Sequence, residues 1–245
     1  MPTPPVSAAD LDLLRRYDTP TVCNVIELFD LHPRTYGYMD RRIQGCYPKL
    51  PPMVGFAVTA TFRSADSPKA GCAYSGLVEQ VESFAQSLQP PIVVFQDIDN
   101  PPVAATFGEV MCSTYKAFGA AGLITSGAGR DLDQVEALQF PCFCDGVICA
   151  HGYCYLPQIN VPVHVGGITV HPGDLLHGDR NGVTRIPVEI ASAVAGACEE
   201  FAAAEAVVLN YLKSQRPDAK GYARARNESR ERIEALAKRL KHSGR

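Results

Sequence analysis

The sequence predicts an α/β domain with a C-terminal helical extension, on three observations. Short apolar runs rich in β-branched residues, bounded by Gly and Pro, read as strands. Between residues 75 and 147 such runs alternate with segments of helical period, the pattern of strand–helix–strand units. A long alanine-rich run, 188–214, then leads into a charged segment whose apolar residues recur at helical spacing.

The first 30 residues read as a helix pair, with TPTVCNVIELF (19–29) apolar at 22, 25, 26 and 29. Pro33, Pro48, Pro51 and Pro52 make 31–53 turn-rich. VGFAVTATFRS (54–64) lies between proline and glycine signals and predicts a strand. SGLVEQVESFAQSL (75–88) has helical period, and PPIVVFQDID (90–99) is a short β-branched run suited to a buried strand. A helix over 108–122, a strand at 123–126, a turn at 127–131, a helix at 131–138 and a strand at 140–147 follow. Residues 159–187 read as short strands with turns at GG, PGD and DRNG, where Gly173 and Gly182 supply φ > 0 and Asp174 and Asp179 supply turn hydrogen bonds. The 188–214 helix closes a domain over 1–215, and 216–245 is a helical extension with Ile233, Leu236 and Leu240 at helical spacing.

Composition excludes several classes. With 245 residues, 46% hydrophobic and 20% charged, and a net charge of −3, the chain is too apolar for disorder. No apolar run approaches the roughly 18–20 residues of a membrane span. The start, MPTPPVSAADLDLLRRYD, lacks the basic-then-apolar order of a secretory leader. A cytoplasmic protein without a membrane partner is the expectation. The charge is uneven: 216–245 carries ten Lys/Arg against four Asp/Glu, leaving 13 basic and 22 acidic residues, or −9, for 1–215. A nucleic-acid arm is one reading of that tail. Its lack of interleaved aromatics beyond Tyr222, and acidic residues at i,i+4-type spacing, favour a solvated or subunit-packing helix, so no nucleic-acid partner is expected.

Nine cysteines stand at 23, 46, 72, 112, 142, 144, 149, 154 and 198. An odd count without a leader argues against a disulfide framework. CFCDGVICAHGYC (142–154) gathers four of them with His151, but its x1, x4 and x4 spacings and the lack of a second pair do not match a structural zinc site. The expectation is thiols that pack as small hydrophobes.

Two loops carry candidate chemistry. In PPVAATFGEV (101–110), Gly108 opens a helix whose first N–H groups could face an anion; equally, Gly108 makes the turn and Glu109 complements the helix dipole. In GAGRD (127–131), at the C-terminal end of a strand, Arg130 offers a planar fork for a carboxylate and Asp131 a hard oxygen for Mg²⁺ or Mn²⁺. The structural reading of Asp131, followed by Gln134, is a capping-box-like helix start.

FGEVM (107–111), AAGLITSGAGRD (120–131) and VGGITVHPGDLLHGDRNGVTRIP (165–187) resemble, in order and spacing, the RraA-like family. That family includes class II 4-hydroxy-4-methyl-2-oxoglutarate/4-carboxy-4-hydroxy-2-oxoadipate aldolases and the regulator of ribonuclease activity A. The resemblance covers roughly residues 15–210 and implies a three-layer β/β/α swivelling-type domain, assembled as homotrimers or dimers of trimers (homohexamers) with sites between subunits. It implies a divalent-metal-dependent lyase, with Mg²⁺ or Mn²⁺, that cleaves a 4-hydroxy-2-oxo acid to pyruvate through an enolate, and oxaloacetate decarboxylation by the same machinery. By the same resemblance Arg130 binds substrate and stabilises the enolate, and Asp131 is the direct metal ligand. Glu109 falls where the aldolases have an acidic residue acting on the metal through water. The amides of Gly108, Glu109, Val110 and Met111 would hold the pyruvyl carboxylate. A further acid reaches the metal from a neighbouring subunit's late helix: Glu205, with Glu199 and Glu200 as alternatives. In PTVCNVIEL, Asn24 stands where the family carries Asp. Other relatives are non-catalytic regulators that dock on a ribonuclease or RNA helicase, which is the alternative reading. Lys116, inside the 108–122 helix, is poorly placed for a Schiff base, and no glycine-rich loop is followed by an acidic residue at Rossmann spacing, which argues against a methyltransferase.

Overall fold

Ser7 and Asp18 open the first two helices, α1 (Ala8–Leu14) and α2 (Thr19–Glu27), their side chains accepting from the N–H groups of Asp10 and Thr21. The computed structural model, which describes residues 6–69, 74–214 and 216–243, continues with β1 (Gln44–Gly45) and β2 (Met53–Phe62), every residue of β2 being buried. Next come α3 (Leu77–Ser83), extended by a 3₁₀ turn, β3 (Pro91–Asp97), β4 (Ala105–Phe107) and α4 (Glu109–Ala117). Then follow β5 (Gly122–Thr125), β6 (Ala128–Gly129), α5 (Leu132–Ala137) and β7 (Cys142–Cys144). The chain ends with β8 (Val163–Val165), β9 (Ile168–Val170), β10 (Leu175–Asp179), β11 (Gly182–Ile186), α6 (Ala191–Leu212) and α7 (Ala219–Ser243).

The described chain divides into two compact units, one of residues 37–188 and the other of 6–36 with 189–243. The first is built on a seven-stranded sheet of order β1-β7-β5-β3-β2-β10-β11. Its centre is parallel: β2 pairs with β3, β3 with β5 and β5 with β7. Antiparallel pieces flank it, β1 on one side and the β10–β11 hairpin on the other. Both faces are buried, which explains why the central strands read as continuous apolar runs. Successive residues alternate between two core clusters: Val93 and Phe95 join Phe62, Phe107, Tyr115 and Phe140, whereas Ile92 and Val94 join Met53, Ile124, Phe143 and Leu176. The turns read from PGD and DRNG are structural: Gly173 and Gly182 have φ of 85° and 126°, and Asp179 accepts from the Asn181 N–H at 2.7 Å.

The expected α/β class is thus borne out, with corrections in detail. A strand, β4, lies in the segment read as a loop, and another, β6, lies inside the GAGRD turn; the two pair in parallel. Strands of two or three residues are too short to show alternation. The helix expected over 108–122 stops at Ala117, because Gly119 at φ 88° turns the chain out of it.

In the second unit α6 packs against α1, α2 and α7. Along α6 Val194, Ala195, Ala197, Cys198 and Phe201 are buried, and along α7 Ala225, Ser229, Leu236 and Leu240 are. The basic extension is therefore an amphipathic packing helix, as its spacing predicts. Its polar face pairs locally, Arg239 with Glu200 at 2.5 Å and Arg232 with Glu228 at 2.5 Å. No helix among the described residues is long and apolar enough to cross a membrane. Cys112, Cys142, Cys144, Cys154 and Cys198 are buried thiols, Cys149 is exposed, and Cys72 lies outside the described residues. Cys46 and Cys144 bring their sulfurs to 3.4 Å without a disulfide.

Candidate active site

The short β4–β6 ladder decides the site, because it sets FGEVM beside GAGRD. Ala105 lies opposite Ala128 and Phe107 opposite Gly129, and the Arg130 N–H donates to the Phe107 carbonyl at 3.1 Å. Behind the ladder the Thr106 hydroxyl lies 2.9 Å from Thr125 Oγ1 and donates to the Ala128 carbonyl at 3.0 Å. These bonds fix where β4 runs into α4 and where β6 runs into α5.

At that junction three predicted residues meet. A Cβ on Gly108 would stand 2.5 Å from Asp131 Oδ2 and 3.1 Å from both Cγ and Nε of Arg130. Gly108 is extended, with φ −159°, so its need for glycine comes from close approach and not from backbone strain. Asp131 sits in the left-handed region, φ 53° and ψ 41°. Its carboxylate makes no cap on α5, which corrects the capping-box reading of Asp131 and Gln134. Instead, Oδ2 accepts from the Glu109 N–H at 3.1 Å, capping α4 across the loop. The physical reason is that the left-handed backbone turns the side chain away from its own helix. Arg130 Nε lies 3.8 Å from the same oxygen, and both side chains are about one-third exposed.

Of the four α4 amides singled out, that of Glu109 is occupied by Asp131; those of Val110 and Met111, in the first turn, have no intrahelical partner. The Glu109 side chain is exposed at the same helix start. Glu205, Glu199 and Glu200 lie on α6 in the second unit. Burial pushes the Glu205 carboxyl up from its ordinary value, and Asp18 adds to the shift. Glu200 is paired with Arg239. Lys116 donates to the Leu138 carbonyl.

A groove of about 1030 Å³ adjoins this junction. It is lined by Gly108, Val110, Met111 and Arg130, by His151, which the sequence singled out only among the cysteines of 142–154, and by residues it did not single out, among them Tyr74 and Val81. The Tyr74 hydroxyl lies against Arg130 and the Cys154 thiol, and its ring is 5.8 Å from that of His151. The apolar spacing of 77, 78 and 81 on α3 and 84 in the 3₁₀ turn after it was the available signal for that wall. At the end of β3, burial raises the Asp97 carboxyl to about 6; its Oδ2 has no hydrogen-bond partner among the described residues, while Oδ1 accepts from the Asp99 N–H at 3.0 Å.

A family model described as RraA-like, Aldolase/RraA, matches residues 19–185. The chain belongs to the RraA-like family. A relative from Halalkalibacterium halodurans, named "Putative 4-hydroxy-4-methyl-2-oxoglutarate aldolase", is 39% identical over 99 residues, 40% of this chain and 47% of that protein. Protein DlpA of Legionella pneumophila is 30% identical over 83 residues, 33% of this chain and 14% of that protein. The chain thus spans less than half the length of these curated relatives. Among solved structures, an uncharacterized protein from Pseudomonas syringae pv. tomato superposes with a TM-score of 0.72 at 21% identity, over 92% of this chain and 95% of that one. Streptomyces coelicolor RraAS2, described as an unusual member of the RNase ES inhibitor RraA protein family, gives 0.65 at 22% identity, over 82% and 96%. These two share the fold. RraA-like proteins therefore include both aldolases and ribonuclease inhibitors, and the site must argue which this chain is.

Proposed function

We propose that this RraA-like chain is a divalent-metal-dependent lyase that cleaves a 4-hydroxy-2-oxo acid to pyruvate. The single observation that supports this reading is the convergence of Gly108, Arg130 and Asp131, close enough that one methyl group on Gly108 would collide with Asp131 and crowd Arg130. A helix start beside an arginine suits a small carboxylate.

Asp131 fits a metal of the kind the family implies. Its Oδ2 is held by the Glu109 amide, and its Oδ1 makes no hydrogen bond among the described residues. Among those residues no group of three or more His, Cys, Asp or Glu side chains is arranged as a cage. Mg²⁺ is commonly held by one or two carboxylates, with water and substrate completing the shell, so a lone Asp131 suits that mode. Glu205 of a second copy, in a homotrimer or dimer of trimers, is the further acid in this proposal. Bound there, Mg²⁺ or Mn²⁺ would supply Lewis acidity toward the 2-oxo and carboxylate oxygens.

The chain's own groups do the rest. The Val110 and Met111 amides and the Arg130 fork orient the pyruvyl carboxylate. Glu109, exposed at the helix start, accepts the C4 hydroxyl proton, directly or through a water. As the C3–C4 bond breaks, C4 becomes a carbonyl and its electron pair moves into the enolate of pyruvate. Arg130 stabilises that charge, a contribution of about 3–4 kcal/mol for a preorganised donor. Protonation at C3 then completes pyruvate, and oxaloacetate decarboxylation would pass through the same enolate. The test is pyruvate release from a 4-hydroxy-2-oxo acid and from oxaloacetate with Mg²⁺ or Mn²⁺. Release that stops with EDTA and with Arg130→Ala is expected; no release, or release that survives both, defeats the reading.

A further inference from the structure

We propose that the groove beyond Arg130 is the subsite for an apolar tail, so that the oxo acid taken here is a monocarboxylate carrying an alkyl or aryl group at C4. The assignment rests on the lyase reading of Arg130 and Asp131. Among the described residues Arg130 is the one Lys or Arg that lines the groove, enough for one carboxylate. The groove's own carboxylate is Glu82, on α3, which would repel a second acid group on the substrate. Leu77, Val81, Phe84, Met111, Tyr115 and Phe118 are among the apolar residues of the remaining lining, with Gln89, Thr114 and His151 its polar ones beside Tyr74. Tyr115 commits its buried hydroxyl to Gln80 Oε1 at 2.6 Å, so it offers the groove carbon and not a donor.

Size points the same way. A pyruvyl group alone would leave most of about 1030 Å³ unfilled, a volume at the upper end of the roughly 300–1,000 Å³ of small-molecule sites. Val78, Val110 and Phe118 are 68%, 79% and 60% exposed, apolar surface that a tail would cover. A distal carboxylate in the same place would lose water and, among the described residues of one chain, meet no Lys or Arg beyond Arg130, which is costly.

The experiment is a calorimetric titration of the full chain, with Mn²⁺ present, using two 2-oxo acids that lack the C4 hydroxyl and cannot be cleaved. One is 2-oxooctanoate, and the other is 2-oxoglutarate. Each methylene buried is worth about fourfold in affinity, so 2-oxooctanoate should bind about tenfold or more tighter. Equal binding, or tighter 2-oxoglutarate, overturns the assignment. Val81→Lys and Ala85→Arg should each cut the preference by about tenfold. A preference unchanged in both, with Phe118→Glu converting an oligomer to monomer, gives the groove to a second copy of the chain instead. Pyruvate release is read in parallel from 4-hydroxy-2-oxo acids bearing a C4 phenyl or carboxymethyl group. Release that favours the carboxymethyl substrate defeats the tail subsite and keeps the lyase; no release from either defeats the lyase, and the titration then decides the subsite alone.

Discussion

Replacing Gly108 with alanine should disable the site while leaving the fold standing. Its backbone, φ −159° and ψ −170°, suits alanine, so the only cost is contact. The new Cβ would lie 2.5 Å from Asp131 Oδ2, and ordinary contact begins at 3.4 Å, so the oxygen must retreat by about 0.9 Å. That retreat strains the 3.1 Å bond from the Glu109 N–H. Losing such a cap costs about 0.5–2 kcal/mol, a fall of several degrees in Tm at most. Catalysis should suffer more, because a misplacement near 1 Å costs about 10²-fold. Both are measurable on one preparation, by thermal melting and by coupled pyruvate assay. Activity within about twofold of the unsubstituted chain would refute the claim that Asp131 acts from the position described.

Other expectations follow from the same geometry. Arg130→Lys keeps the charge and loses the planar fork, so kcat/KM should fall by about 10²-fold with little change in Tm, checked by the same assay and melt. Asp97, raised to about 6 by burial, favours the fold when protonated: its contribution is full below the ordinary carboxylate pKa of 3.8 and is lost as pH rises through about 6. Asp97→Asn should therefore flatten the stability profile between those pH values and stabilise the chain near pH 8, by up to about 3 kcal/mol in urea unfolding. In the second unit Leu236, fully buried on α7, should cost about 2–4 kcal/mol when cut to alanine. Arg239→Ala, which removes an exposed pair with Glu200, should leave the unfolding midpoint close to that of the unsubstituted chain in the same experiment.

The sequence showed the central strands as apolar runs because both faces of the sheet are buried, and showed the longer helices because each spans enough turns to reveal its period. The amphipathic tail was legible for the same reason, since Leu236 and Leu240 fall at helical spacing and are buried. The β4–β6 ladder was not, because a two-residue strand has no period, and without it the nearness of Gly108 to Asp131 could not be foreseen. Asp131 also misled: local spacing pointed to a cap on its own helix, whereas its positive φ sends the carboxylate to α4. The groove wall on α3 was visible only as a helix, because a spacing rule says that a face is apolar and not what it faces.

The most direct test of the account is Mn²⁺ binding followed by electron paramagnetic resonance on the full chain, with oxalate as a planar mimic of the pyruvate enolate. The account predicts that the signal of free Mn²⁺ is lost in proportion to protein, that oxalate tightens binding, and that Asp131→Ala abolishes both effects. Mn²⁺ that stays free, or that binds Asp131→Ala as well as the unsubstituted chain, would contradict it.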